Sequence, residues 1–456
     1  MPAEDRTQPV CSRTFERKIS NTYILSLKIG NARQRHRRTL LHTEIARRWT
    51  VTGLLCAAFI IAYLDRQNLS FALTDRAFNR FFNLTDSGRG FLNSAFFWSY
   101  AALQIPAGWL VDRFGVKRPF AICFGLWSTF AALTAWCKDA TQLFTLRILL
   151  GAGEAVNTPA GMRWFRLNFR PHQHGFVMGL YQSSAKVGPA IGAPLIAWLL
   201  QLYGWRAMFA ILGFGALLWI GPWLIFVRND DKLMEETELK HAKAAPEPFA
   251  NFFRSPAMWG IIIGTFCYNY YNYFCLTWLP AYLSESRHLT LSKTGWFTGF
   301  SFWGFALVAI GAGSLADRLI RVGADAVKIR KAFIIAGFVA ASTEMIGAAC
   351  SSQSLALFFA IFSLSGLGLA TGNYWALTPA IMPTAPPARL AAVQNMAANL
   401  PGIAAPILTG WLKQVTGGYE APMMANFSFL ILGTASYALL VRPNYSPAVG
   451  ALGVTK

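Results

Sequence analysis

The chain has 456 residues, 54% of them hydrophobic and only 14% charged, with a formal net charge of +20. A soluble protein of this length would carry roughly a quarter of its residues as charges, so a water-soluble globular fold is excluded. The basic excess lies between long apolar runs, which excludes a nucleic-acid groove and points to the Lys- and Arg-rich inner loops of a polytopic membrane protein.

Residues 1–48 form a polar, basic tail in which Arg33, Arg35, Arg37 and Arg38 precede Arg47 and Arg48. No apolar core of signal-peptide length follows an early charged segment, so no cleaved leader is expected and the first spanning helix serves as the insertion signal. Such a tail favours the anionic cytoplasmic leaflet. Six runs long enough to span a bilayer follow, near 49–72, 90–111, 118–137, 142–164, 175–202 and 206–227. A charged stretch over 228–255, with Glu235, Glu236, Glu238, Lys240 and Lys243 and then Pro246 and Pro248, reads as a linker. Six more runs fall near 256–281, 294–315, 331–350, 354–376, 389–412 and 421–441, before a short tail over 443–456.

The expected fold is thus an all-α membrane protein of twelve spanning helices, with bundles over 49–227 and 256–442. Lys and Arg concentrate in the loops on one side, which places both termini in the cytoplasm. The seven cysteines occur singly, with no Cys-x-x-Cys pair. Cys56, Cys123, Cys137, Cys267, Cys275 and Cys350 lie in or at the ends of apolar runs and read as small buried hydrophobes, not as a disulfide or metal set.

The first run ends in Tyr63-Leu64-Asp65-Arg66-Gln67-Asn68. Asp65 lies about 24 Å into the run at 1.5 Å per residue. Charges at that depth cost several kcal/mol and face a bundle interior or an aqueous cavity; the alternative is an interfacial position with Arg66 snorkelling. The fourth run carries Arg147 and Glu154, seven residues apart and so on one helical face, offset by about 20°. Asn157 extends that face. Two carboxyls and two guanidiniums thus converge on one cavity, unless Arg147 and Glu154 form a fixed structural ion pair.

The two halves repeat. Gly108-Trp109-Leu110-Val111-Asp112-Arg113-Phe114-Gly115 follows the second run, and Gly313-Ser314-Leu315-Ala316-Asp317-Arg318 follows the eighth, at an offset of about 205 residues. Together with Lys117 and Arg118, the first copy resembles the cytoplasmic signature of the major facilitator superfamily. In that reading the glycines permit close helix approach, and Asp112 and Arg113, with Asp317 and Arg318, form a cytoplasmic latch. Within the superfamily, several segments resemble the anion:cation symporter family, and its sugar-acid carriers (galactonate, hexuronate, glucarate) most. They are Tyr63-Leu64-Asp65-Arg66-x-Asn68, Arg147-x6-Glu154, Gly188-Pro189-x-x-Gly192-x-Pro194-Leu195 with Gly204-Trp205-Arg206, and Thr277-Trp278-Leu279-Pro280-x-Tyr282-Leu283.

The resemblance implies a monomeric, multi-pass protein of the cell inner membrane, carrying a small organic anion with protons; sodium is the alternative coupling ion. Arg66 would hold the substrate carboxylate, for which a planar guanidinium suits bidentate geometry. Asp65 and Glu154, with Arg147 beside them, would carry the protons. Tyr63 and Tyr100 hold family motif positions on the charged side. At the repeat offset the second half has no matching charges, Asp65 and Arg66 falling opposite Tyr270 and Tyr271. It offers instead Tyr271, Asn272, Asn373, Trp375 and Asn395, amides and aromatic groups suited to hydroxyls. Lys186 departs from the family, whose sugar-acid members have a neutral polar residue here; it can bind a second carboxylate, take over part of the coupling, or snorkel.

No cofactor is expected. A phosphate-cradling Gly-rich loop with Lys is missing from the sequence, so ATP is not the energy source, and no His-Glu-x-x-His occurs. His172-Gln173-His174 reads as a solvated basic loop, with a metal-binding pair as the alternative, and Glu344 as reaching water at the outer end of the ninth run. Competing readings are an importer of another carboxylate (tartrate, phthalate or another aromatic acid), an efflux antiporter, and a non-transporting sensor. No enzyme constellation is present.

Overall fold

The computed structural model describes residues 46–228, 253–382 and 387–442. The basic tail, most of the linker and the C-terminal tail lie outside the described residues. Within them every regular element is a helix, and counted as passages these number twelve, some joined end to end. Seven helices meet the length and composition of a membrane span. The surface is inside-out by the standard of soluble proteins. Ile105 and Leu218, for instance, are 85% and 80% exposed, as suits side chains that face lipid.

The first half contains α1 (Ala46–Ala72), the short α2 (Arg76–Phe81), α3 (Asp86–Phe114) and α4 (Lys117–Leu133). It continues with α5 (Ala140–Glu154), α6 (Asn157–Asn168), α7 (Pro171–Leu217) and α8 (Ile220–Phe226). Helix starts follow ordinary capping rules: Thr85 accepts from the Gly88 amide at the start of α3, and Asp139 accepts from that of Gln142 at the start of α5. Gly115 ends α3 with φ 77°, a left-handed conformation that glycine adopts without penalty. The fifth and sixth expected spans are joined in α7 and reverse direction at Gly204, where φ is 74°. Trp205, next in sequence, packs its ring against Phe78 and Phe82 and closes that corner.

The second half runs α9 (Pro256–Ala281), α10 (Leu291–Arg321), α11 (Ala326–Ser342), α12 (Glu344–Ala349), α13 (Gln353–Ile381), α14 (Pro387–Thr416) and α15 (Glu420–Ala435). The offset seen in sequence carries α3 onto α10 almost end to end. Two expected helices are broken. The fourth passage turns at Ala155 and Val156, directly after Glu154, and the ninth turns at Thr343, directly before Glu344.

The halves meet along two seams, α3 against α14 and α7 against α10. Small residues make both contacts possible, as is usual where packing rather than water exclusion drives helix association. A Cβ on Gly90 would lie 2.3 Å from the Pro406 carbonyl oxygen, and one on Gly295 would lie 2.6 Å from the Ala197 methyl. Both positions lie at the end of the bundle opposite the Asp112 and Asp317 motifs. That end is closed: Arg89 pairs with Glu285, Lys413 pairs with Asp86 and Glu285, and the Ser87 amide donates to Gln414.

Candidate functional site

Helix α1 brings Tyr63, Asp65, Arg66 and Asn68 inward beside α3 and α5. Arg66 Nε donates to Glu154 Oε2 at 2.9 Å, with Nη2 2.8 Å from the same oxygen. Its guanidinium carbon lies 4.5 Å from the ring centroids of Tyr63 and Phe96 and 4.6 Å from that of Tyr100. Three aromatic faces therefore enclose one guanidinium, an electrostatically favourable arrangement that strengthens as water is removed. The Tyr100 hydroxyl is 3.4 Å from that of Thr158.

Arg147 and Glu154 share a face as their spacing implies, but they are not each other's partner. Arg147 donates from Nη1 to the Asp65 carbonyl oxygen and from Nη2 to Asn68 Oδ1, each at 3.1 Å. It thereby ties α5 to α1, and Glu154 is left to Arg66. The Asp65 carboxyl meets only Asn68 Nδ2, at a weak 3.5 Å, and its Oδ2 has no hydrogen-bond partner among the described residues. The interfacial alternative for Arg66 is excluded by burial: Arg66 is 7% exposed, Arg147 2%, and Asp65 and Glu154 not at all. The expected watery pocket is correspondingly closed around these groups in this conformation.

Across the seams the second half supplies neutral contacts. Lys186 of α7 donates to Asn272 Oδ1 of α9 at 3.0 Å, its ammonium 4.4 Å from the Phe305 ring centroid. Asn395 Nδ2 donates to Gln104 Oε1 at 2.7 Å, and Tyr273 meets Phe97 edge-on. Snorkelling of Lys186 is thus excluded, since the residue is 9% exposed and its ammonium is held inside the bundle. Tyr271 points elsewhere in the second half and donates to Ser363 at 2.8 Å. Asn373 is buried and accepts from Arg330, so the structure sets it beside the Asp317 motif rather than beside Arg66. Trp375 is partly buried, its ring tilted by 37° against that of its neighbour Tyr374.

The latch motifs differ in detail from expectation. Asp112 pairs with Arg163 of α6, while Arg113 lies over the Trp109 and Phe114 rings. Asp317 likewise pairs with Arg330 of α11 at 2.8 Å, and Arg318 is exposed. Each Asp is therefore bound by an arginine from a different helix of its own half, not by its sequence neighbour. Gly108 makes no close approach, since a Cβ there would meet only Pro159 at 3.9 Å; of the two motif glycines, Gly115 is the one that the backbone requires. Glu344, expected in water, is 8% exposed and accepts from Asn426 Nδ2 at 3.0 Å. The reason is that α12, which Glu344 starts, packs against α13 and α15, where Asn426 meets the carboxyl. Of the His pair, His174 contacts the Phe169 carbonyl oxygen at 2.8 Å, and the His172 side chain lies outside the described set. Among the described residues there is no cluster of metal-ligating side chains.

Sequence reading missed Phe96, Arg163 and Gln104. Phe96 was legible, because it precedes Tyr100 by four residues and so shares its helical face. Arg163 and Gln104 carry no local signal: their roles come from helix contacts.

Comparison with known proteins agrees with this architecture. The sequence profile of the Major Facilitator Superfamily matches residues 55–406. The chain is 30% identical to a probable L-galactonate transporter of Escherichia coli, over 86% of this chain and 89% of that protein. It is 29% identical to a probable sulfoacetate transporter of Cupriavidus necator (88% and 95% covered) and 28% identical to a probable galactarate/D-glucarate transporter of Bacillus subtilis (87% and 92%). Among solved structures, a bacterial homologue of the lysosomal transporter Spinster in an inward-facing, unoccupied conformation superposes with a TM-score of 0.70 at 17% identity, covering 87% of this chain and 97% of that one. The profile match, the paired six-helix halves and the repeated Asp-Arg motif establish that this chain belongs to the major facilitator superfamily and is a multi-pass membrane transporter, not an enzyme.

Proposed function

We propose that the protein is a proton-coupled importer of an organic anion of the sugar-acid class, working by alternating access with both termini in the cytoplasm of the inner membrane. One observation carries this reading: Arg66, caged by three aromatic rings, is neutralised by Glu154, while its sequence neighbour Asp65 is a second buried carboxyl with no ion pair among the described residues. Burial favours the neutral acid and a neighbouring guanidinium favours the anion. A proton reaching Glu154 therefore releases Arg66, whose fork then binds the substrate carboxylate. Proton and anion act on one charge cluster, which is the physical requirement for coupling. The names of the relatives, an L-galactonate and a galactarate/D-glucarate transporter, support the substrate class.

The closed end of the bundle then faces the periplasm, and the Asp112 and Asp317 motifs face the cytoplasm. Rocking of the halves along the α3–α14 and α7–α10 seams would expose the cluster to each side in turn. The test is uptake of labelled galactonate, glucarate and hexuronates into proteoliposomes under an inward proton gradient. Accumulation that a protonophore abolishes is expected. Uptake that ignores the protonophore and follows a sodium gradient would overturn proton coupling, and absence of any flux would overturn the importer.

A further inference from the structure

Lys186 is a buried cation without a counter-ion. Its ammonium is held by a neutral amide and an aromatic face, and among the described residues no carboxylate pairs with it. It stands next to the charge cluster. Two residues further along α7, a Cβ on Gly188 would lie 2.9 Å from that of Tyr63, whose ring covers Arg66. The site thus holds three cations, Arg66, Arg147 and Lys186, against two carboxyls, Asp65 and Glu154. Even with both carboxyls ionised, one positive charge is uncompensated. A buried unpaired charge is costly, and a chain that keeps one has a partner for it in another state.

From this we infer that the substrate is a dianion, a dicarboxylate or an acid with two anionic ends. One end binds Arg66 and the other binds Lys186, with Asn272 turning its amide to the same end. The inference rests on the reading of Arg66 as the anion site and narrows it. The Lys186–Asn272 hydrogen bond joins α7 of the first half to α9 of the second, so the far carboxylate would enter between the halves and compete for the bond that now links them. A monoanion would leave the Lys186 charge unmatched.

The test compares matched pairs of acids that differ by one carboxylate, D-gluconate with D-glucarate and benzoate with phthalate. The readouts are thermal stabilisation of the purified protein and competition in proteoliposome uptake. In at least one pair the dianion is expected to bind at least tenfold more tightly. Lys186→Gln is expected to cut that selectivity ratio by tenfold or more, and Lys186→Arg, which keeps the charge, to retain most of it. If the protein binds a monoanion as tightly as its dianionic partner, or if Lys186→Gln leaves the ratio intact, the dianion assignment is wrong while the importer reading stands. If the wild type binds and moves none of these acids, both fail together. Loss of folding in Lys186→Gln would be read from its unliganded melting curve, and Lys186→Met, of similar length and apolar, then decides by the same ratio.

Discussion

Arg89 of α3 and Glu285, in the turn beyond α9, meet at 2.6 Å across the boundary between the two halves. Asp86 and Lys413 complete an alternating ring of charge, Tyr419 donates to Glu285 at 2.9 Å, and the Arg89 guanidinium covers Trp278. This ring holds one end of the bundle shut. Exposed pairs contribute little, but the Arg89 side chain is only 6% exposed, and its loss would leave Asp86 and Glu285 to Lys413 alone. Arg89→Ala is expected to weaken closure by about 1–3 kcal/mol, and double electron–electron resonance between labels on the loops of the two halves would read it as a widened distance at this end. Burial pushes the Glu285 carboxyl up, yet Arg89 and Lys413 more than offset that and hold it below the usual carboxylate range. For a depressed carboxylate, the stabilisation is present above its ordinary value of about 4.3 and fades as pH falls through the depressed one. Closure by this ring should therefore be flat from pH 8 to 5 and weaken only below about pH 4.

The same closure depends on backbones in contact. Gly90 of α3 faces Pro406 and Gly410 of α14, with the Gly90 and Gly410 backbones too close for a side chain on either. Gly90→Val is expected to leave each half folded, because the clash lies wholly between them, while driving the population toward the state open at this end. A cysteine placed beside Arg66 should then react with a membrane-impermeant thiol reagent from the periplasm much faster in the variant. Equal labelling rates would show that the α3–α14 seam is not where opening occurs.

How far the sequence carries depends on the range of the interaction. Helix number follows from apolar runs, since the hydrocarbon thickness sets their length. The repeat and the Arg147–Glu154 face follow from spacing alone. Partner choice does not: two acids and two guanidiniums allow more than one pairing, and the observed one depends on how α1 is rotated against α5. Helix breaks are equally opaque, for neither Ala155-Val156 nor Thr343 is a breaker by composition. The ring around Arg89 carries no local signal, because its charged members lie in three separate segments and each looks like an ordinary loop-end charge.

Partner choice at the latch leads to a third expectation. Asp112 pairs with Arg163, whereas Arg113 rests on two aromatic rings. Arg163→Ala should therefore impair transport about as much as Asp112→Ala, and the double variant no more than either, the signature of a single shared contact. Arg113→Ala should be milder. Additive losses for Asp112 and Arg163 would mean that they act separately.

Glu344 offers a fourth. It is buried, the Asn426 amide donates to it, the Tyr271 hydroxyl also reaches it, and no cation pairs with it among the described residues. An amide fits the same place, so Glu344→Gln should leave the melting temperature within a few degrees of wild type. Glu344→Leu strands the Asn426 amide and should cost about 1–3 kcal/mol. A large loss in the Gln variant, with transport also gone, would assign the carboxyl a charged role.

The two acids of the cluster should differ in stability even though both are wholly buried. Glu154 neutralises Arg66, so Glu154→Gln leaves a guanidinium inside the bundle without a counter-ion, a loss of about 3–5 kcal/mol in comparable buried pairs. The three rings around Arg66 offset part of it. Asp65 forms no ion pair among the described residues, Arg147 reaching its backbone carbonyl instead, and Asp65→Asn keeps its shape, so its effect on folding should be smaller than that of Glu154→Gln. Thermal unfolding followed by tryptophan fluorescence should then rank the variants with Asp65→Asn above Glu154→Gln. A bound organic anion should stabilise Glu154→Gln more than the wild type, because it meets Arg66 without having to displace a carboxylate. The reverse ranking, or an anion that stabilises the wild type more, would mean that Arg66 is not where the anion binds.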